Sequence, residues 1–498
     1  MTATHERLPP FAAAPVTAAS IALGATLTAL SGRYGFHRDE LYFLAAGDRL
    51  AWGYVDQPPL TPMLASAATS IFGDTPSGLR VAATAAYVGI VVVVALIARE
   101  LGGGRYAQVL AACGAGVSGF VLAVGHMVST STFDVLVWVC LAWAALRLAR
   151  TGDGRWWLAV GATAGIGLLN KYLVVLLAVA LLAAWVITGP RRVFRSWWLV
   201  GGIAAAAVIA APNLWWQAAH DWPQLTVAGG ISADDGAENR IMFVPEQLVY
   251  LSAFLVPVWA AGLWRLWRDE SVAWAKAVGL AYPILCVLVV AVGGKGYYAT
   301  PLLLVLLAAG CQPAVEWLRR GRVMTRRVLF GAGIAAAAAS SAVISLPVLP
   351  PTALTAVNEI NKEQGEQVGW PSLASAVSRA WSDIPPAQRD DAVIFTQNYA
   401  EAGAIEHYGA QYGLPQPYSG HMSYADWGPP PDTSDGAVLL VYQDGDQETQ
   451  RHFTDCEEVA RVDNPQHVDN GEQNAVAATC TGTTAPWSTL WPRLRHYY

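Results

Sequence analysis

Charge is scarce in this chain. Asp, Glu, Lys and Arg together make up 14% of 498 residues, against about a quarter in an ordinary soluble domain. That scarcity argues against a water-soluble enzyme, a coiled coil or a disordered tail protein. Formal charge is −6 and no basic run dominates, so nucleic acid is not an expected partner. Six cysteines in so long a chain do not build a disulfide scaffold. No HExxH, no paired CxxC and no dinucleotide fingerprint occurs. Gly293-Gly-Lys-Gly296 lacks the spacing and the Ser/Thr of a phosphate loop, and Asp444-Gly-Asp446 is too short a match to signal a metal. No metal or other cofactor is expected.

What the chain has in abundance is long uncharged sequence. Leu8 to Gly32, Val81 to Ala98, Tyr106 to Phe133, Tyr172 to Pro190, Ser196 to Ala219, Gln247 to Trp264, Ala277 to Gly294, Gly296 to Val315 and Val328 to Asn358 contain no ionisable Asp, Glu, Lys or Arg. Each approaches or exceeds the ~20 residues that cross a ~30 Å hydrocarbon layer as a helix. Val135 to Leu146 and Trp156 to Asn170 can span if Arg147 and Lys171 snorkel. Backbone polar groups must be paired inside lipid, which selects helices. The expectation is an α-helical polytopic membrane protein of about eleven transmembrane helices. The first run has a single basic residue before it, Arg7, and is longer than a signal h-region, so it reads as an uncleaved anchor.

A cytoplasmic N-terminus puts 17 basic residues inside, from Arg7 through Arg99, Arg105 and Arg147 to Arg326 and Arg327. It puts seven outside: Arg33, Arg38, Arg49, Arg80, Lys171, Arg240 and Lys295. That asymmetry follows the positive-inside rule. The odd number of spans then places the C-terminal region outside the cell.

Residues 348–498 are different material. They hold 20 of the 37 acids and seven basic residues, with short apolar runs at Ala392 to Phe395 and Ala437 to Tyr442 that read as strands. The expected organisation is a membrane domain over 1–347, with a long first outer loop at 33–78, and a soluble extracytoplasmic α+β domain over 348–498. Cys456 and Cys480 are its two cysteines. In an oxidising compartment they can form a disulfide or remain two thiols.

The ionisable residues of the outer face mark the candidate site. The first loop carries Arg38, Asp39, Glu40, Asp48, Arg49 and Asp56. Asp39 to Leu50 has helical spacing and reads as an amphipathic helix on the membrane surface, with a second such helix from Thr61 to Phe72. Asp134, Lys171, Asp221, Arg240 and Lys295 fall at the same level. Charges near hydrocarbon are costly and commonly functional. A lipid phosphate could seat its headgroup among the cations while a carboxylate acts as general base on an acceptor hydroxyl. Neighbouring Asp39 and Glu40 diverge by about 100° on a helix, so one aims at substrate while the other caps the helix or pairs with Arg38. Asp134 is alternatively a helix N-cap, Lys171 a snorkelling boundary residue, and His37 an interfacial polar residue.

"RDELYF" (Arg38 to Phe43) followed by "VDQPPLTP" (Val55 to Pro62) resembles the C-type glycosyltransferases of the protein O-mannosyltransferase and aminoarabinose transferase group. The resemblance continues through "STFDVLVW" around Asp134, "NKY" (Asn170 to Tyr172), "PNLWWQ" (Pro212 to Gln217), "DWPQL" (Asp221 to Leu225) and "GGKGYYATPLLLVLLAAG" (Gly293 to Gly310). It reaches "NYAEAGAIEHYG" and "SGHMSYADWGPPP" in the tail. It implies inverting transfer of a sugar, mannose-like or other, from a polyprenyl-phosphate donor to a protein, lipid or glycan acceptor. It further implies Asp39 as base, Glu40 as its acidic neighbour and Asp134 as a second carboxylate. Family members often carry Lys or His before the Pro-Pro pair, where Gln57 stands here. Lys171, Arg240 and Lys295 are therefore the candidate phosphate ligands, and Gln57, Asp221, Tyr297 and Tyr298 complete the expected substrate-binding set. A transporter or lipid flippase is the main competing class, but such proteins commonly show inverted repeats and charges at mid-membrane; neither is obvious here. An outer-facing sensor does not account for the acidic first loop.

Overall fold

The computed structural model describes residues 8–189 and 191–497; Arg7 and the ends of the runs at Pro190 and Tyr498 lie outside them. The chain divides into two compact units. One takes the chain up to Ser31, Arg80–Ala219 and Ile231–Leu346; the other takes Gly32–Leu79, His220–Gly230 and the residues from Pro347 onward. The first outer loop, expected with the membrane domain, therefore folds with the C-terminal residues.

The first unit is helical throughout. Seven helices among the described residues are long and apolar enough to cross a membrane, or nine if each of two bent pairs is one span. The expected eleven includes Trp156–Leu168 and Val174–Thr188, apolar helices shorter than 18 residues. The uninterrupted run from Tyr106 to Phe133 is in fact broken: Arg105–Gly116 and Gly119–His126 meet at 61°. Gly236–Val249 and Ala253–Arg268 meet at 65°. Asp134 does not start its helix. That helix is Thr130–Thr151, and Ser129 is its N-cap, accepting from the Thr132 amide.

Core packing in this unit rests on small residues, since lipid supplies no hydrophobic drive between helices. Helices Val256–Arg268 and Thr300–Leu318 come together at Gly262 and Gly310; a Cβ on either would run into backbone of the opposite helix.

In the second unit, helix Arg38–Asp48 packs against Leu60–Phe72 and Tyr399–Gly409. Leu41, Tyr42, Phe43, Ala45 and Ala46 are all buried. An amphipathic helix lying on a membrane surface would expose one of these faces to lipid; instead this helix is enclosed by protein. Gly403 allows the approach, because a Cβ there would meet the Leu41 backbone at 3.1 Å.

The remainder of this unit is built on a five-stranded sheet. Strands β1 (Val393–Thr396), β2 (Tyr418–Ser419), β3 (Val438–Tyr442), β5 (Glu457–Arg461) and β6 (Val476–Cys480) lie in the order β2-β1-β3-β6-β5, with β4 (Phe453–Thr454) and β7 (Gly482–Thr483) forming a separate pair. β1 runs parallel to β2 and β3, while β6 is antiparallel to β3 and β5. The two expected strands are β1 and β3, apolar on both faces as central strands are. Edge strand β5 is mostly exposed and carries Glu457, Glu458 and Arg461, charges that discourage edge-to-edge pairing. A disulfide joins Cys456 and Cys480.

Gly310→Leu places a branched side chain against the opposite backbone. Overpacking of this kind typically costs about 1–3 kcal/mol, so the variant should melt at a lower temperature than wild type in detergent, while Gly331→Leu, with nothing near its Cβ position, should not.

Candidate active site

The start of helix Arg38–Asp48 is a capping box. His37 Nδ1 accepts from the Asp39 amide at 3.1 Å, and Glu40 Oε2 accepts from the His37 amide at 2.8 Å. Because Nδ1 accepts, the ring proton sits on Nε2, which donates to Glu363 Oε2 at 2.8 Å. His37 and Glu40 are fully buried. Of the two alternatives for the acidic pair, Glu40 is the capping partner, and His37 is an enclosed cap instead of an interfacial residue.

Asp39 is left facing outward, its side chain 34% exposed. It occupies the first helical turn, where the helix dipole favours a negative charge. The Tyr399 hydroxyl donates to its Oδ1 at 2.7 Å, and Arg38 Nε stands 3.7 Å from the same oxygen. Burial and the Asp39 charge push the Tyr399 phenol well above its ordinary pKa, so it remains a donor. The Tyr399 ring lies 5.0 Å from Tyr42, whose hydroxyl donates to Asp56 Oδ1 at 2.6 Å and sits 2.7 Å from Ser423 Oγ. Ser423 Oγ accepts in turn from the Val55 amide. Tail residues thus hold Asp39 directly, through Tyr399, and Asp56 through Tyr42, which Ser423 engages.

Gln57 follows Asp56 in a turn closed by Tyr54 N–H to Gln57 O at 2.9 Å. Its side chain is 1% exposed, and neither amide atom has a hydrogen-bond partner among the described residues. A buried amide left unpaired costs about 1–3 kcal/mol, an opening that a polar ligand would fill. Asp221 also belongs to this unit, exposed and with a left-handed backbone (φ 59°).

In the helical unit a second group forms. Asp134 is buried and accepts from Trp138 Nε1 one turn on at 3.0 Å. Lys171, in the turn after Trp156–Leu168, has its Nζ 3.3 Å from Ser131 Oγ and stands 5.5 and 5.2 Å from the ring centres of Tyr297 and Tyr298. Its charge acts on Asp134. Asn170 Nδ2 donates to the Thr130 carbonyl at 2.8 Å, tying that turn to the start of the Asp134 helix. Lys295 and Arg240 stand apart from this group in their bonding. Lys295 is 3.7 Å from Asp235, and Arg240 Nε donates to the Val290 carbonyl at 3.1 Å. Among the described residues no three His, Cys, Asp or Glu are grouped to hold a metal ion.

Sequence reasoning did not single out Tyr399, Ser423 or Glu363. A signal existed for the first: Asn398 and Glu401 form a capping box that starts helix Tyr399–Gly409 at Tyr399.

Burial pushes Asp56 up to about 6, against the Tyr42 bond that lowers it. The folded protein therefore holds a proton that the unfolded chain releases near pH 4. Stability falls as pH rises between about 4 and 6, by about 3 kcal/mol from this group. Thermal melts across that range should show the slope, and Asp56→Asn should flatten it.

Residues 56–216 match the family described as dolichyl-phosphate-mannose-protein mannosyltransferase. No curated protein matches the chain. Among solved structures, ArnT from Cupriavidus metallidurans in the apo state is similar with a TM-score of 0.59 at 12% identity, over 93% of this chain and 97% of that one. The same protein bound to undecaprenyl phosphate gives 0.56 at 15% identity with the same coverage. The arabinofuranosyltransferase AftD from Mycobacteria gives 0.50 at 14% identity, over 94% of this chain and 40% of that one. The chain thus shares the fold of these membrane glycosyltransferases over nearly its whole length, and its residues 56–216 match the mannosyltransferase family model.

Proposed function

We propose that the protein transfers a sugar from a polyprenyl-phosphate donor to an acceptor hydroxyl at the outer membrane face, inverting the anomeric carbon, with Asp39 as general base. One observation carries this reading. Asp39, its side chain 34% exposed, has one oxygen tethered by Tyr399 and the other left open, while its neighbour Glu40 is spent on the helix cap and Asp56 on Tyr42. The fold shared with an ArnT structure that holds undecaprenyl phosphate supports a lipid-phosphate donor.

In this reaction Oδ2 of Asp39 takes the acceptor proton as the acceptor oxygen forms its bond to C1. The bond between C1 and the phosphate oxygen breaks on the opposite face, and the phosphate leaves with that electron pair. Attack from the far side inverts the centre. Tyr399 fixes which carboxylate oxygen is free, making it a positioning residue. Lys171, with no carboxylate within ion-pair distance among the described residues, is the cation of the helical unit assigned to phosphate binding. Tyr297 and Tyr298 brace its ammonium, Asp134 balances it, and the Gln57 amide is assigned a polar group of the substrate. Lys295 and Arg240 have secondary roles because Asp235 and the Val290 carbonyl already engage them. The N-terminus is assigned to the cytoplasm and the C-terminal domain to the outside, on the Arg and Lys asymmetry.

Asp39→Asn should insert and melt as wild type but lose roughly 10²–10⁴-fold in transfer when purified protein is incubated with a panel of prenyl-phosphate sugars; wild-type rates would remove the base. Tyr399→Phe should lower kcat with little change in KM and displace the pH–rate profile, whereas a purely structural role would leave the profile in place. For topology, Gln416→Cys should react with an impermeant maleimide on intact cells. Reaction only in inverted vesicles would reverse the orientation.

A further inference from the structure

The sheet of the C-terminal region offers a second polar cleft that none of the groups above uses. The chain leaves β1, passes through helix Tyr399–Gly409 and enters β2 on one side, then returns to β3 on the other side of β1. The direction of winding thus reverses between β1 and β3. In open sheets with parallel strands, ligands bind outside the carboxyl ends of the strands at such a reversal. A cavity of about 290 Å³ lies there, lined at its polar wall by Gln397, Asp446, Glu448, His452, Arg493 and His496. Its size is at the small end for ligand pockets, which begin near 300 Å³, enough for a sugar residue and too little for a lipid tail.

The hydrogen-bonding capacity of this wall is incompletely used. Asp446 Oδ1 caps the turn that follows, accepting from Glu448 N and Thr449 N at 3.0 and 3.2 Å, while its Oδ2 is buried and has no partner among the described residues. Gln397 Oε1 accepts from Gln443 N at 2.7 Å, which leaves its NH₂ to donate. With a proton on Nδ1, His496 donates to the Leu494 carbonyl at 2.9 Å and presents Nε2 as an acceptor; its ring is held by stacking on His421 at 4.5 Å. Burial and the charges of Arg451 and Arg493 hold His452 below its ordinary pKa, so it is neutral at pH 7. Among the described residues no carboxylate lies within ion-pair distance of Arg493.

We propose that this cleft binds a neutral polyhydroxylated ligand, a glycan, with the Asp446 carboxylate and the Arg493 guanidinium on neighbouring hydroxyls and Gln397 and His496 completing the set. Charge balance selects that class. Asp446 and Arg493 both line the cleft, and Glu448 is already met by Arg451 at 2.9 Å, so the charges of the wall offset one another and select neither an anion nor a metal ion. Sugar hydroxyls, each both donor and acceptor, suit alternating acceptors and donors. For a glycosyltransferase the natural occupant is the glycan of an acceptor or product, docked by the C-terminal region independently of the reacting centre.

The test uses the full-length protein in detergent, with methyl α-mannopyranoside, methyl β-galactopyranoside and methyl α-arabinofuranoside as probes and inorganic phosphate and Mg²⁺ as competitors, read by saturation-transfer NMR. At least one glycoside should bind saturably, weakened roughly tenfold or more by Asp446→Asn and by Arg493→Ala, and unaffected by phosphate, by Mg²⁺ or by Asp39→Asn. Arg493→Lys substitutes if Arg493→Ala fails to fold. Absence of saturable binding overturns the proposal, as does binding that neither cleft variant weakens. Binding lost in Asp39→Asn but kept in Asp446→Asn would place the sugar at the reacting centre, overturning the cleft and leaving the proposed base intact. Loss of transfer in Asp39→Asn with cleft binding unchanged separates the two readings in the other direction.

Discussion

The hydrogen bond from Tyr399 to Asp39 is the interaction on which the proposed reacting centre depends. An acid at the second position of a helix points away from the axis and can adopt several rotamers. Tyr399 removes that freedom, and its own ring is held between Tyr42 and His421. The phenol in turn depends on the helix Tyr399–Gly409, which the Asn398–Glu401 capping box starts at that residue. Two reciprocal caps, at His37–Glu40 and Asn398–Glu401, therefore set the positions of the donor and the acceptor of one bond.

This arrangement explains why a loop between membrane helices folds with a domain more than 300 residues downstream. Residues 33–78 are too short a segment to bury a core alone, and helix Arg38–Asp48 is enclosed by Leu60–Phe72 and Tyr399–Gly409. Ser423, Glu363 and Tyr399 satisfy polar groups of the loop that would otherwise be buried without partners. The C-terminal residues are thus part of the proposed reacting centre, and the cleft at β1 and β3 lies on the same scaffold. A glycan held by that scaffold is handled by the same unit that carries the proposed base.

The helical unit works by different rules. Its contacts use glycines where backbones approach and place Lys171 against aromatic rings and a hydroxyl instead of a carboxylate partner. An ammonium held that way is positioned without a carboxylate in ion-pair contact, which suits the proposed phosphate-binding role.

Apolar run length and the distribution of Arg and Lys were enough to read a polytopic helical protein with an acidic soluble end, because lipid permits so few backbone solutions. Short apolar runs were enough for β1 and β3, and the order of short motifs drew Asp39, Asp134 and Lys171 into the proposed site. The breaks after Gly116 and Val249 were not legible, since an uncharged run has the same composition whether straight or bent. Asp39 could be told from Glu40 only once the cap was seen, and the burial of helix Arg38–Asp48 only once its neighbours from residues 60–72 and 399–409 were in place. Tyr399, 360 residues from the acid it holds, and the polar wall gathered from residues 397 to 496 are joined by tertiary folding alone, because hydrogen bonds over such separations leave no local periodicity in a sequence.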